Sequence, residues 1–157
     1  MIEKPCPWPI TELVPHSGRM CLLDEAVSYS ADSLTARVSV NQQSVFLHTN
    51  KVPAWVGIEY MAQAIAAWAG TQQKQRGGSA QIGFLLGSRK FISSCDSFPV
   101  GAELVIHVER VLQDDSGLGS FDCHLSFDQH HQQARLNVFQ PPNVDAYMQS
   151  LTGKTHV

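Results

Sequence analysis

One carboxylate stands alone in an apolar stretch of this chain. Between Val52 and Gly70 the sequence reads VPAWVGIEYMAQAIAAWAG, in which Glu59 is the single acid and Gln63 the single amide. Residues four apart on a helix share a face, so these two can address one spot. A carboxyl group in apolar surroundings loses hydration, its pKa rises, and it keeps a proton that it can hand to a departing group. Glu59 therefore has the chemistry of a general acid, with a paired structural charge as the alternative. Gln63 suits hydrogen-bonding support beside it. His130-His131 lies in the polar run QHHQQ and reads as solvated surface; with no Cys or further His beside it, no metal site is expected there.

The stretch that carries Glu59 predicts a helix from Pro53 onward, since proline is tolerated in a first turn where its missing N–H would be unpaired anyway. Trp55, Ile58, Ala62, Ile65 and Ala69 form one stripe, and Gly57, Met61, Ala64 and Trp68 another. A helix that is apolar or small on every face needs cover on several sides. Glu59 and Gln63 interrupt it too much for a membrane span, which takes about 20 predominantly apolar residues. Its end is expected at Gly70 or, after a polar extension, at Gly77-Gly78. Trp55 and Trp68 suit core packing more than the lining of a tunnel.

The cover must come from strands. Ala26–Ser30 and Leu34–Val40 form a candidate hairpin, the second with strict alternation of Leu34, Ala36, Val38 and Val40 against polar neighbours. After the helix come Ile82–Ile92, Glu103–Leu112, Phe121–Phe127 and Ala134–Val138, separated by Pro99-Val100-Gly101, by a turn cluster at Asp114–Gly119, and by QHHQQ as a loop. Residues 1–13 read as an irregular lead-in. The expected class is α+β: a curled antiparallel sheet of about six strands wrapped around one long buried helix, the arrangement called the hotdog fold. It occupies residues 1–142 as a single domain, with 143–157 as a C-terminal tail.

Composition agrees with this. The chain has 157 residues, 43% of them hydrophobic, and a formal net charge of −3, which describes an ordinary globular domain without the basic excess of a nucleic-acid binder. MIEKPCPWPITEL lacks the basic start and apolar run of a secretory signal. Cys6, Cys21, Cys95 and Cys123 are scattered without a CxxC pair, which favours a reducing, cytoplasmic setting over disulfides or zinc. Neither nucleic acid nor membrane is expected as a partner.

PAWVGIEYMAQAIA resembles the central-helix signature P-G-x-x-x-x-E-x-M-A-Q of FabZ-type β-hydroxyacyl-carrier-protein dehydratases, which are hotdog proteins, through Pro53, Glu59, Met61, Ala62 and Gln63. VPHSGRMCLLD is similar to the family's P-H-x-x-x-x-L-L-x-D lead-in through Pro15, His16, Leu22 and Asp24. RKFISSCDSFPVGAELVIHVE is similar to its later strand pair through Phe91, Val100, Gly101 and Leu104. The likeness covers roughly residues 10 to 140. VPAWVGIEYMAQAIAAWAG together with GFLLGSRK most resembles the ApeP-like dehydratases associated with aryl polyene biosynthesis.

The resemblance implies loss of water from a 3-hydroxyacyl thioester carried on the phosphopantetheine arm of an acyl carrier protein, with no other cofactor. Such chemistry needs an acid, a base for the α-proton, and a donor for the thioester carbonyl. It assigns Glu59 as the acid and the N–H of Ala54, just after the helix proline, as the donor, with Trp55 and Gln63 beside the substrate. The family's histidine stands in a G-H-F-P-G segment that this chain replaces with SVFLHTNKVP, leaving His48, five residues before Pro53, as the base and His16 as its substitute. Arg89 and Lys90 are candidates to dock an acidic carrier protein. Two further readings stay open: a catalytically impaired subunit that partners an active dehydratase, and a hotdog acyl thioesterase. The family implies a dimer, either of two copies or of this chain with a paralogous hotdog subunit.

Overall fold

The computed structural model of the chain describes residues 2–77 and 83–140. Nine strands and one long helix follow in chain order: β1 (Lys4–Pro5), β2 (Glu25–Tyr29), β3 (Ser33–Ser39), β4 (Lys51–Pro53), α1 (Val56–Gln75), β5 (Phe84–Ser93), β6 (Ser97–Pro99), β7 (Glu103–Gln113), β8 (Leu118–Phe127) and β9 (His130–Phe139). Seven of them make an antiparallel sheet in the order β1-β2-β3-β7-β8-β9-β5, and β4 pairs separately with β6. The hotdog architecture expected from the sequence is present. The alternating residues explain it: Leu34, Ala36, Leu104, Ile106, Val108, Cys123, Leu125 and Leu136 point to one face and are almost fully buried. At roughly 2 kcal/mol for each large side chain, that face is the main reason the sheet closes on α1.

Three departures from the sequence reading have local causes. The main sheet has seven strands because the lead-in contributes the two-residue β1, whose edge pairing Lys4↔Tyr29 and Pro5↔Ser28 is too short to show as alternation. The helix begins at Val56, three residues after Pro53, because Val52 and Pro53 are held extended opposite Phe98 and Ser97. QHHQQ is not a loop: a two-residue turn, Asp128-Gln129, joins β8 to β9, and His130 and His131 already pair with Phe127 and Ser126.

The helix passes Gly70 and ends at Gln75, with Gly77 in the left-handed conformation (φ 78°) that closes helices at low steric cost. Gly70 has another use. A Cβ there would lie 2.1 Å from the carbonyl oxygen of Leu13, so glycine lets the lead-in cross the helix at close range. Among the described residues no helix is long and apolar enough to cross a membrane, and no cluster of His, Cys, Asp and Glu is arranged to hold a metal. The tail assigned to 143–157 lies outside the described residues.

Candidate active site

Among the described residues, the sheet covers most of α1 and leaves one stripe uncovered. Tyr60, Met61, Ala64, Ile65, Ala67 and Trp68 are buried, whereas Glu59 is exposed and Ala62, Ala66 and Ala69 are half-buried. Helical phase puts these four on one side. The alanines are small enough to leave a hollow above them, and a cavity of about 230 Å³ opens there, lined by the polar Glu59 and Gln63 and the apolar Leu85 and Val138. The carboxylate expected inside an apolar shell thus stands at the rim of one, because the sheet curls around α1 without closing over this stripe.

His16 lines the same cavity. It is half-buried, and its Nδ1 is buried without a hydrogen-bond partner among the described residues. The segment that carries it is stapled to the helix by Gln63, whose Nε2 donates to the Met20 carbonyl at 2.7 Å and whose Oε1 accepts the Leu22 N–H at 2.8 Å. Both ends of that buried amide are therefore used to hold the His16 segment beside Glu59.

The remaining sequence candidates lie elsewhere. His48 is exposed in a tight turn, its N–H donating to Lys51 O at 2.8 Å, and it does not line the Glu59 cavity. The loop around it is conformationally costly: Phe46, Thr49 and Asn50 have φ of 71°, 53° and 61°. Trp55 is 54% exposed and meets Phe46 edge-on with centroids 5.5 Å apart. The Ala54 N–H donates to the Asp96 carbonyl at 3.0 Å, so within this chain it is already paired. Arg89 and Lys90 are exposed on β5; Lys90 adopts φ 57° where the β5–β9 register slips, and it flanks a shallow groove on the outer sheet face with Asp122, His124 and Arg135.

Two buried groups are too desolvated for acid–base work near neutrality. Burial, then the charge of Asp24, pushes the Tyr60 phenol up to about 12. Burial, then Asp122, does the same to the Cys123 thiol, also to about 12, which keeps it unreactive. Sequence reasoning missed the alanine floor as a pocket and missed Gln132, which is buried on β9 and donates to the carbonyl of Ala54 at 2.9 Å. The signal for Gln132 was available: the alternation of Ala134, Leu136 and Val138 extends back to it by one step.

The chain can now be set beside known proteins. No curated protein matches it. Among solved structures, it is similar to the dehydratase heterocomplex ApeI:P from Xenorhabdus doucetiae, with 30% identity over 93% of this chain and 99% of that chain and a TM-score of 0.84. A hypothetical thioesterase from Streptococcus pneumoniae TIGR4 bound to coenzyme A is 13% identical over 69% of this chain and 80% of that one, with a TM-score of 0.53. The PaaI protein of the phenylacetic acid degradation operon of E. coli is 13% identical over 73% and 81%, with a TM-score of 0.57. These last two share the fold alone. A family model described as ApeP dehydratase matches residues 8–149, nearly the whole chain. With a carboxylate and a histidine on one cavity and a family match of that extent, the chain belongs to the ApeP-like dehydratases.

Proposed function

We propose that the chain removes water from a 3-hydroxyacyl thioester borne on the phosphopantetheine of an acyl carrier protein, with Glu59 as the acid and His16 as the base. The observation that carries this reading is the shared cavity of Glu59 and His16 in a chain of this family. An imidazole takes the α-proton, the C–H electron pair becomes the new double bond, and the hydroxyl leaves as water on the proton from Glu59. The apolar lining of Ala62, Ala66, Ala69, Leu85 and Val138 takes the acyl chain. Acid and base act on the same substrate, so neither needs to touch the other.

Glu59 is exposed in the single chain, so a partner that covers its stripe would close the cavity to bulk water. The protein similar to this chain at 30% identity is part of a heterocomplex. We therefore assign this chain a paralogous hotdog subunit as partner, with a second copy of itself as the alternative, and an acidic carrier protein guided by Arg89 and Lys90. A cytoplasmic setting suits the four free cysteines.

A second reading has its own support: His48 stands exposed next to the exposed Phe46–Trp55 pair, a surface from which an imidazole can serve a partner's cavity and not this chain's own. The test is mass spectrometry of a 3-hydroxyacyl carrier protein incubated with the purified protein, alone and with its partner. Loss of one water is expected, and Glu59→Gln should slow it by about 100-fold or more. No water loss in either preparation would remove the dehydratase role from this chain, and free thiol released from an acyl thioester would turn it into a thioesterase.

A further inference from the structure

A fully buried amide on an apolar strand face is costly and needs a reason. Gln132 holds the first inward position of β9, ahead of Ala134 and Leu136, and is 0% exposed. Its Nε2 donates to the Ala54 carbonyl at 2.9 Å and to Ser93 Oγ at 3.0 Å. The Ala54 carbonyl can only accept, which orients the amide with its nitrogen toward the start of the helix. The other end, Oε1, has no hydrogen-bond partner among the described residues. It lies against Gly57, where a Cβ would come within 1.8 Å of it.

None of the neighbours needs Gln132 in order to be satisfied. The Ala54 carbonyl already accepts the Gly57 N–H at 3.0 Å. Ser93 Oγ donates to the Cys95 carbonyl at 2.7 Å and accepts the Cys95 N–H at 3.3 Å. A methionine at 132 would leave no new unpaired group and would remove a buried unpaired oxygen, which is destabilising wherever it occurs. On stability alone the position favours an apolar side chain. Glutamine is there nonetheless, with a glycine opposite that makes room for it.

The contacts indicate what it does. Ala54 stands two residues ahead of α1 and is held on both sides, its N–H by the Asp96 carbonyl and its carbonyl by Gln132. Glu59 follows Gly57 by two residues. Oε1 faces the positive end of the helix, where its partial negative charge is favourable even without a hydrogen bond. We propose that Gln132 is a positioning residue for the dehydration: it ties β9 and the Ser93 corner to the Ala54 peptide and so fixes how far Glu59 projects into its cavity. This role rests on Glu59 being the acid, as assigned above.

The test is Gln132→Met in the full-length protein with its partner subunit. The melting temperature should be unchanged or higher, kcat should fall by about 10- to 100-fold, and KM should stay within about twofold. Gln132→Glu supplies a second reading. An ionised carboxylate cannot donate to the Ala54 carbonyl but a protonated one can, and burial raises the pKa of such a carboxyl, so its kcat relative to wild type should rise as pH falls from about 9 to about 6. A Met variant with lowered melting temperature and wild-type kcat overturns the proposal, as does a Glu variant with a flat relative profile. Wild-type protein that dehydrates nothing overturns the dehydratase reading and this role together, whereas wild-type and Met-variant proteins of equal activity remove only the role.

Discussion

Glu59 and His16 line one cavity although 43 positions separate them, and the segment that carries His16 is held to the helix by Gln63 gripping Met20 and Leu22. With His16 as the base, His16→Ala should lower kcat by about 100-fold while His48→Ala stays within about threefold of wild type. The reverse order, measured on the assembled protein, would hand the base to His48 acting across a subunit boundary. Glu3 supports a second residue-scale prediction. Burial alone would raise its pKa, but hydrogen bonds from Ser28, Ser33 and Thr35 and the nearby His107 outweigh that and hold it below the ordinary carboxylate value. A carboxylate with a depressed folded-state pKa contributes stability above its unfolded value and loses it as pH falls through the folded one. The stability gap between wild type and Glu3→Ala, about 2 kcal/mol near neutrality, should therefore shrink below about pH 4.5 in melting experiments. Glu59 and Gln63 were legible in the sequence because a polar type stands out against an apolar run. The nearness of His16 was not, because no local pattern encodes a contact made across a fold.

At the scale of elements, α1 and its crossings decide whether the site exists. Gly70 meets the backbone of Leu13, which cannot swing aside as a side chain can, so Gly70→Ala should cost about 2–4 kcal/mol in denaturant unfolding and loosen the segment that carries His16. A variant as stable as wild type would mean that the lead-in moves easily, and the rigid placement of His16 would have to be abandoned. The long strands were readable from period-two alternation because each has one buried face. The missed elements are those in which alternation cannot show: β1 with two residues, β4 and β6 with three, and the start of β9, where histidines and glutamines mask an inward position. The helix start was misplaced because proline is equally suited to a first helical turn and to the end of a short strand, and pairing with Phe98 and Ser97 settles which it joins.

Over the whole molecule, among the described residues, the sheet ends on one side at the two-residue β1 and on the other at β5, which carries exposed Leu85, Leu86 and Ile92. A long edge strand with apolar side chains invites pairing. Light scattering should therefore report a dimer, and Leu86→Asp should shift it toward monomer by weakening the edge; a monomeric wild type with full activity would refute the need for a partner. The order of the strands has one more consequence, for synthesis. Ser33 to Ser39 of β3 wait for Glu109 to Glu103 of β7, and α1 emerges between them with only β2 and β3 made to cover it until β7, β8 and β9 arrive. Such long-range pairings form slowly, and the greasy intermediate they leave is prone to misassociation. The nascent chain thus passes through a window in which a chaperone or an already folded partner subunit can shelter the helix, so yield in the cell should depend on when that partner is made.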